Sequence, residues 1–340
     1  MQLSSLFRRL SLGLHLCAVA GAAVGLSAHA QGVPTSCAIT GQTYPTKPIK
    51  LVVGFPAGGS SDQIGRYLAD AMSARLGQPV LVDNRPGAGS SIAATQVAKS
   101  PADGYTLLLA TMGTHAINPF LYSKLSYEPA KDFVPIAYAI NAANVFLARA
   151  DSPVKTMEDF IAAARSKVRP INVALPGNGT SPHLASALFE AFAQASVSSI
   201  MYRGNAPALT DILGGQVEFM VDTVTTSAPL VERGTLRALA VTSPTRSPML
   251  PNVPTVAEIL PGYEVNPWWG VAAPRGTPKE VTERLHCEIN QALVDPQVVS
   301  RFKALGAVAQ PMSMDEFSQL IARDAAKWEQ IIRKANIKPD

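Results

Sequence analysis

Ile49-Lys50-Leu51-Val52-Val53-Gly54-Phe55-Pro56-Ala57-Gly58-Gly59-Ser60-Ser61-Asp62 joins an apolar run to a glycine-rich turn and then to a segment with helical periodicity. The apolar run reads as a strand. Ser60-Ser61-Asp62-Gln63 has the form of a capping box, with Ser60 as N-cap and Gln63 at N3. Ile64, Leu68, Ala71, Met72 and Leu76 fall on one helical face, and Gly77 stops the helix. A strand, a glycine turn and a helix start leave backbone N–H groups pointing into the turn, at the positive end of the helix dipole. The turn has neither the Lys-Ser/Thr of a Walker A loop nor the spacing Gly-x-Gly-x-x-Gly. It reads as a seat for a small anion with no chemistry attached.

The same grammar repeats outward. Residues 80–82 form a second strand ending at Asn84-Arg85-Pro86-Gly87-Ala88-Gly89, and a helix follows through Ile92, Thr95, Gln96 and Val97. Asp103-Gly104 is a turn, and residues 105–110 are a third strand. Further on, a helix opens at Thr156 and ends near Val168, followed by a strand at 171–175, a glycine turn at 176–182 and a helix at 183–194. A strand at 199–202, a helix at 206–213 and strands at 217–221 and 236–242 continue the pattern. A proline-rich crossing at 243–262 leads to a strand at 268–273, and helices at 279–293, 297–305 and 314–335 finish the chain. The expected fold class is α/β, with two lobes, each a doubly wound mixed sheet flanked by helices. Residues 44–141 with 267–340 form the first lobe, and 142–266 the second. Open sheets of this kind bind ligands in a crevice beyond their strand C-termini.

Arg8 and Arg9, a largely apolar stretch over residues 10–26 and Ala28-His29-Ala30 have the pattern of a cleaved secretory signal peptide spanning residues 1–30. Cleavage leaves 310 of the 340 residues, in the periplasm, with residues 31–43 as a loose leader. Loss of Arg8 and Arg9 takes the 29 basic residues to 27 against 25 acids, a net charge of +2. Near-neutrality without a basic run excludes nucleic acid as a partner, and a monomer is expected. Cys37 and Cys287 remain, and cysteines so far apart in sequence are expected to stay unpaired, although the compartment permits a disulfide.

Three turns follow strands and carry hydroxyls, glycines and free amides without any Lys or Arg: residues 54–62, 111–118 and 176–182. An anion held there would be gripped by dipoles and hydroxyls, and so remain exchangeable. Asp62, in a first helical turn, reads equally as a dipole partner or as an acceptor that organises the loop or a ligand's amino group. Asp222, at a strand end, reads equally as a cleft residue or as a buried acid. Trp268 and Trp269 line the cleft or pack the returning strand. No metal-ligand spacing, cofactor motif or Gly-x-Ser-x-Gly elbow is present. His115 or His183 with Asp62 or Asp222 is the one acid/base pairing available, the basis of an alternative reading as a secreted hydrolase or lyase of a small carboxylate.

Pro48-Ile49-Lys50-Leu51-Val52-Val53 running into Phe55-Pro56-Ala57-Gly58-Gly59-Ser60-Ser61-Asp62 resembles the start of the Bug proteins, the extracytoplasmic receptors of tripartite tricarboxylate transporters. The resemblance continues in Asn84-Arg85-Pro86-Gly87-Ala88-Gly89, Pro101-Ala102-Asp103-Gly104-Tyr105, Gly204-Asn205-Ala206-Pro207-Ala208, Pro251-Asn252-Val253-Pro254-Thr255 and Trp268-Trp269-Gly270-Val271. It implies a two-domain periplasmic binding protein clamshell that takes di- or tricarboxylates, acidic amino acids or aromatic acids. It also implies membrane permease subunits as partners, with a membrane sensor as a further reading, and no enzymatic activity or cofactor. Carried residue by residue, the carboxylate grip falls on Phe55, Ala57, Gly58, Gly59, Ser60 and Asp62 in the first turn. Thr111, Thr114 and Asn118 supply the second turn, and Gly179, Thr180 and Ser181 the third. Asp222 is added from the reading of the strand end. Ser90-Ser91 departs from the family, which often continues with another glycine there.

Overall fold

Ile49–Val53 (β1) is buried at every position but Lys50 and lies between two parallel neighbours, Val80–Asn84 (β2) and Thr106–Thr111 (β3). A strand covered on both faces must be apolar nearly throughout, which is how β1 and β3 read, whereas β2 lies at the sheet edge and ends in Asp83-Asn84. Ser60–Leu76 (α1) returns the chain from β1 to β2, and Ser91–Ala98 (α2) from β2 to β3. The computed structural model describes Cys37 and residues 43–166, 171–335 and 337, so the expected signal peptide lies outside them.

Beyond β3 the path differs from a repeated β-α-β. Asn118–Leu121 (α3) and Pro129–Asp132 (α4) lead into two strands absent from the sequence reading, Phe133–Asn141 (β4) and Asn144–Arg149 (β5). The run 133–149 contains no glycine, and Pro135 argues against a central strand. The fold accommodates Pro135 at a register shift of β4 against Trp268–Pro274 (β10), where it faces Ala272. Met157–Arg165 (α5) stops short of the expected 168, and residues 167–170 lie outside the described chain.

Asn172–Leu175 (β6), Ser181–Ala193 (α6), Ser198–Met201 (β7), Asn205–Leu213 (α7) and Phe219–Thr223 (β8) follow. Val224–Glu232 (α8), masked in the sequence by Pro229, then leads to Leu236–Val241 (β9). Val256–Ile259 (α9), β10, Lys279–Leu293 (α10), Pro296–Ala304 (α11), Val308–Ala309 (β11) and Met314–Ala335 (α12) complete the order.

Two mixed sheets result, as expected. The first has the order β11-β4-β10-β3-β1-β2, the second β7-β6-β8-β5-β9. Each holds a parallel trio, and each has an antiparallel strand from the other half of the chain inserted within it. β5 enters the second sheet between β8 and β9, and β10 enters the first between β3 and β4. The two crossings are bonded to each other: Ala142 N donates to Pro267 O, and Asn144 N donates to Thr242 Oγ1.

Alternation along the strands sorts the core into layers. Leu51 and Val53 pack with Ile64, Leu68, Leu285 and Ile289 under α1 and α10. Val52 and Leu108 face the other way, into a cluster that continues through Trp268, Phe317 and Trp328 to Phe146 of the second sheet and Phe160 and Phe189 of α5 and α6. Val145, Leu147 and Met220 pack under α7 and α8. Each large buried side chain contributes about 1.5–3 kcal/mol. Cys37 and Cys287 are disulfide-bonded across 250 residues, which corrects the expectation that they stay unpaired. Arg284 Nη1 donates to Cys37 O beside the bridge and presents the two sulfurs together.

Candidate functional site

Four helix starts converge on one small cavity. Ser60 and Ser61 open α1, Ser181 opens α6, Asn205 opens α7, and Thr223 precedes α8; all five line the cavity with Thr111 and Gly113. Phe55, Trp268 and Trp269 supply the apolar wall, and no lining residue is charged. Three of these helices lack a side-chain cap. Gly59 is the N-cap of α1, correcting the expected capping box, Gly204 is that of α7, and Thr223 caps α8 without a side-chain bond. Their first-turn N–H donors therefore await a partner from outside the helix. Each dipole favours an anion by about 0.3–1 kcal/mol, and more where it is partly buried.

Hydroxyls complete the donor set. Trp269 Nε1 donates to Ser61 Oγ at 2.8 Å, which commits a lone pair and leaves the Ser61 proton for the cavity. Thr111 and Thr114 lock each other: Thr111 N donates to Thr114 Oγ1, and Thr114 N donates to Thr111 Oγ1. This occurs in a tight turn, Gly113–Ile117, wound one residue wider than an α-helix, a feature frequent at functional sites. Ser181 Oγ donates to Asn144 Oδ1, tying the start of α6 to β5. Thr180 Oγ1 donates to Gly177 O and accepts from His183 N, capping α6.

The acids stand behind this wall. Asp62 accepts from Gly58 N, Arg66 Nε and Asn84 Nδ2. Burial opposes its charge, but Arg66, the Gly58 amide and Asn84 outweigh it, holding the carboxyl below its ordinary value. Asp222 is fully buried, and burial pushes it up to about 6. It accepts from Asn205 Nδ2 and from Thr226 Oγ1, so it aims the Asn205 amide.

Of the residues expected from sequence, Phe55, Ser60, Thr111, Gly179, Thr180 and Ser181 share the cavity wall. Ala57, Gly58, Gly59, Asp62, Thr114, Asn118 and Asp222 do not. Asn118 Nδ2 donates to Gly89 O and Ser91 Oγ, bracing a neighbouring turn. Ser61, Gly204, Asn205 and Thr223 were missed. The signal for Ser61 was present in its place beside Ser60, and that for Asn205 in a glycine turn ahead of a helix.

Turns of the two sheets meet across this cleft through glycines. A methyl group on Gly113 would lie 3.1 Å from Gly179 O, one on Gly89 3.0 Å from Asn178 O, and one on Gly204 3.1 Å from Pro56 Cγ. The cavity enclosed is about 40 Å³, room for a few water molecules. It shares Phe55, Pro176, Thr180 and Gly204 with an adjoining outer chamber of about 610 Å³.

His115 is buried beside Phe133 and Trp268, with Nδ1 2.8 Å from Thr114 Oγ1, and burial pushes it down to about 4. His183 Nδ1 accepts from Gly179 N. The oxygens of Asp62 and Asp222 accept from the groups named above. Among the described residues no cluster of three or more His, Cys, Asp or Glu side chains forms a metal site, and no helix is long and apolar enough to cross a membrane.

Residues 64–337 match the family described as Tripartite tricarboxylate transporter family receptor. Protein BugT of Bordetella pertussis is 35% identical over 302 residues, 88% of this chain and 93% of its own. Among solved structures, R. palustris Rpa4515 with adipate is 35% identical with a TM-score of 0.84, over 88% of this chain and 100% of the other. MatC of Rhodopseudomonas palustris with bound malate is 33% identical with a TM-score of 0.80, over 85% and 100%. The chain belongs to the receptor family of the tripartite tricarboxylate transporters and has the two-domain clamshell fold of the periplasmic binding proteins.

Proposed function

We propose that this receptor captures a small carboxylate in the periplasm and delivers it, unaltered, to the membrane permease of a tripartite transporter. Residues 44–141 with 267–340 would form one jaw and 142–266 the other. The observation that carries the reading is the set of three helix starts without side-chain caps around a cavity with no charged wall. Such a site offers a carboxylate many donors and no counter-ion to hold it permanently. Ser60, Ser61, Thr111, Thr180, Ser181, Asn205 and Thr223 are assigned to the grip. Asp62 and Asp222 are assigned to organising it, because both spend their oxygens on neighbouring loops. The bound adipate and malate of the two Rhodopseudomonas relatives support the carboxylate class. Closure brings the second jaw onto a ligand seated on the first, so binding favours the closed state.

A thermal-shift series of mono-, di- and tricarboxylates against neutral sugars tests this. A carboxylate at 100 times its Kd is expected to stabilise the fold by about 2.7 kcal/mol. Stabilisation by neutral sugars and by no carboxylate would sink the proposal. Chemical analysis of the ligand after long incubation separates a receptor from a hydrolase or lyase, since only the receptor returns it unchanged.

A further inference from the structure

We propose that Arg203 receives a second carboxylate of the ligand in the outer chamber, which makes the receptor selective for linear diacids over monoacids of the same length. The inference rests on the reading of the inner cavity as a carboxylate seat. Arg203 lines the outer chamber and is its one charged lining residue, with no acid in the wall. Other arginines of the chain hold carboxylates: Arg66 with Asp62, Arg75 and Arg284 with Glu288, Arg149 with Asp151 and Arg246 with Glu258. Among the described residues no carboxylate lies within ion-pair distance of Arg203. Of the two acids bonded to this turn, Asp211 accepts from Tyr202 Oη at 2.7 Å and Asp222 accepts from Asn205 Nδ2.

Chain geometry places the cation where a second anionic group would arrive. Three consecutive residues bridge the two spaces. Asn205 lines the inner cavity, Gly204 lines both, and Arg203 lines the outer chamber. Residues two apart in an extended loop have Cα atoms up to about 7 Å apart, close to the separation of two carboxyls joined by a few methylenes. The inner cavity of about 40 Å³ holds little beyond one carboxylate, so the rest of the ligand must pass into the chamber of about 610 Å³. A monoacid would present a methyl end there and leave the guanidinium hydrated. A diacid would present a carboxylate that accepts a charge-assisted, forked pair of hydrogen bonds.

Titration calorimetry with succinate and adipate against butyrate and hexanoate, on the wild type, Arg203→Gln and Arg203→Lys, tests the assignment. Arg203 is exposed and makes no ion pair with the described residues, so both variants are expected to keep the wild-type Tm. The wild type is expected to prefer the diacid of each pair. Arg203→Gln should weaken diacid binding roughly 10–100-fold, the range for a hydrogen-bonded charge, with monoacid affinity unchanged. Arg203→Lys should recover part of the loss, and the diacid affinity of the wild type should fall with salt more steeply than that of Arg203→Gln. An equal diacid-to-monoacid ratio in the wild type and Arg203→Gln overturns the role of Arg203 while leaving the inner carboxylate seat intact. If the wild type binds none of the four acids, the seat and the Arg203 assignment fail together.

Discussion

Ser90 shows how one side chain carries information that the surrounding motif conceals. Its φ of 73° lies in the left-handed region, where an L residue costs about 1–2 kcal/mol and glycine costs little. Its hydroxyl is buried without a hydrogen-bond partner against Gly54, where a methyl group would fall 1.6 Å from Ser90 Oγ. Glycine, often found at this point in the family, meets both conditions without that cost. Asp222 is the second instructive residue. Its folded pKa of about 6 exceeds the ordinary 3.8, so between those values the folded protein binds a proton that the unfolded chain releases. The stability it contributes is full below pH 3.8 and is lost as pH rises through about 6. Asp222→Asn keeps the shape without the titration. In urea unfolding from pH 4 to 7.5, the wild type is expected to gain stability relative to Asp222→Asn as pH falls, by up to about 1.4 kcal/mol per pH unit. A difference that stays flat with pH would show that Asp222 does not carry the burial penalty.

At the scale of elements, helix starts and glycine turns act together. Gly113 has no positive φ, so alanine there strains no backbone, yet its methyl would press on Gly179 O at 3.1 Å and Thr111 Oγ1 at 3.3 Å. Overpacking of this kind costs about 1–3 kcal/mol. Because the carbonyl belongs to the opposite turn, the cost falls on the meeting of the two turns. If the cavity seats a carboxylate as proposed, Gly113→Ala is expected to weaken binding of whichever carboxylate stabilises the wild type roughly 5–100-fold, while unfolding stability without ligand changes by less than about 1 kcal/mol. Calorimetry with parallel urea melts decides it: equal losses in affinity and stability would mean the methyl disturbs the turn itself. The strand–turn–helix units around β1, β3 and β6 were legible because periodicity and glycine punctuation are local. β4 and β5 were not, since Pro135 and the absence of glycine punctuation obscured two strands whose register only their partners set.

For the whole molecule, the Cys37–Cys287 bridge closes a loop of 250 residues and ties Cys37 to α10. A disulfide is worth about 2–4 kcal/mol, by an amount that depends on the state of the unfolded chain. Thermal unfolding with and without dithiothreitol is expected to differ by several degrees for the wild type and not at all for Cys37→Ser. Identical Tm values under both conditions would remove the bridge from the account of stability.

The sequence by itself determined the class of fold, the three anion-seeking turns and the family, because each is written in short-range pattern. It also pointed to Phe55, Ser60, Thr111 and residues 179–181, which the structure puts on the cavity wall, since glycine and hydroxyl residues at a strand end announce themselves. Only the tertiary structure decided which helix starts meet. Trp269 reaches Ser61 across 208 residues, and Asp222 aims Asn205 from a different strand and helix. It also decided that Cys37 pairs with Cys287 and that Asp62 and Asp222 stand behind the cavity rather than in it. Such contacts depend on how two sheets exchange a strand and pack, and no local spacing encodes that.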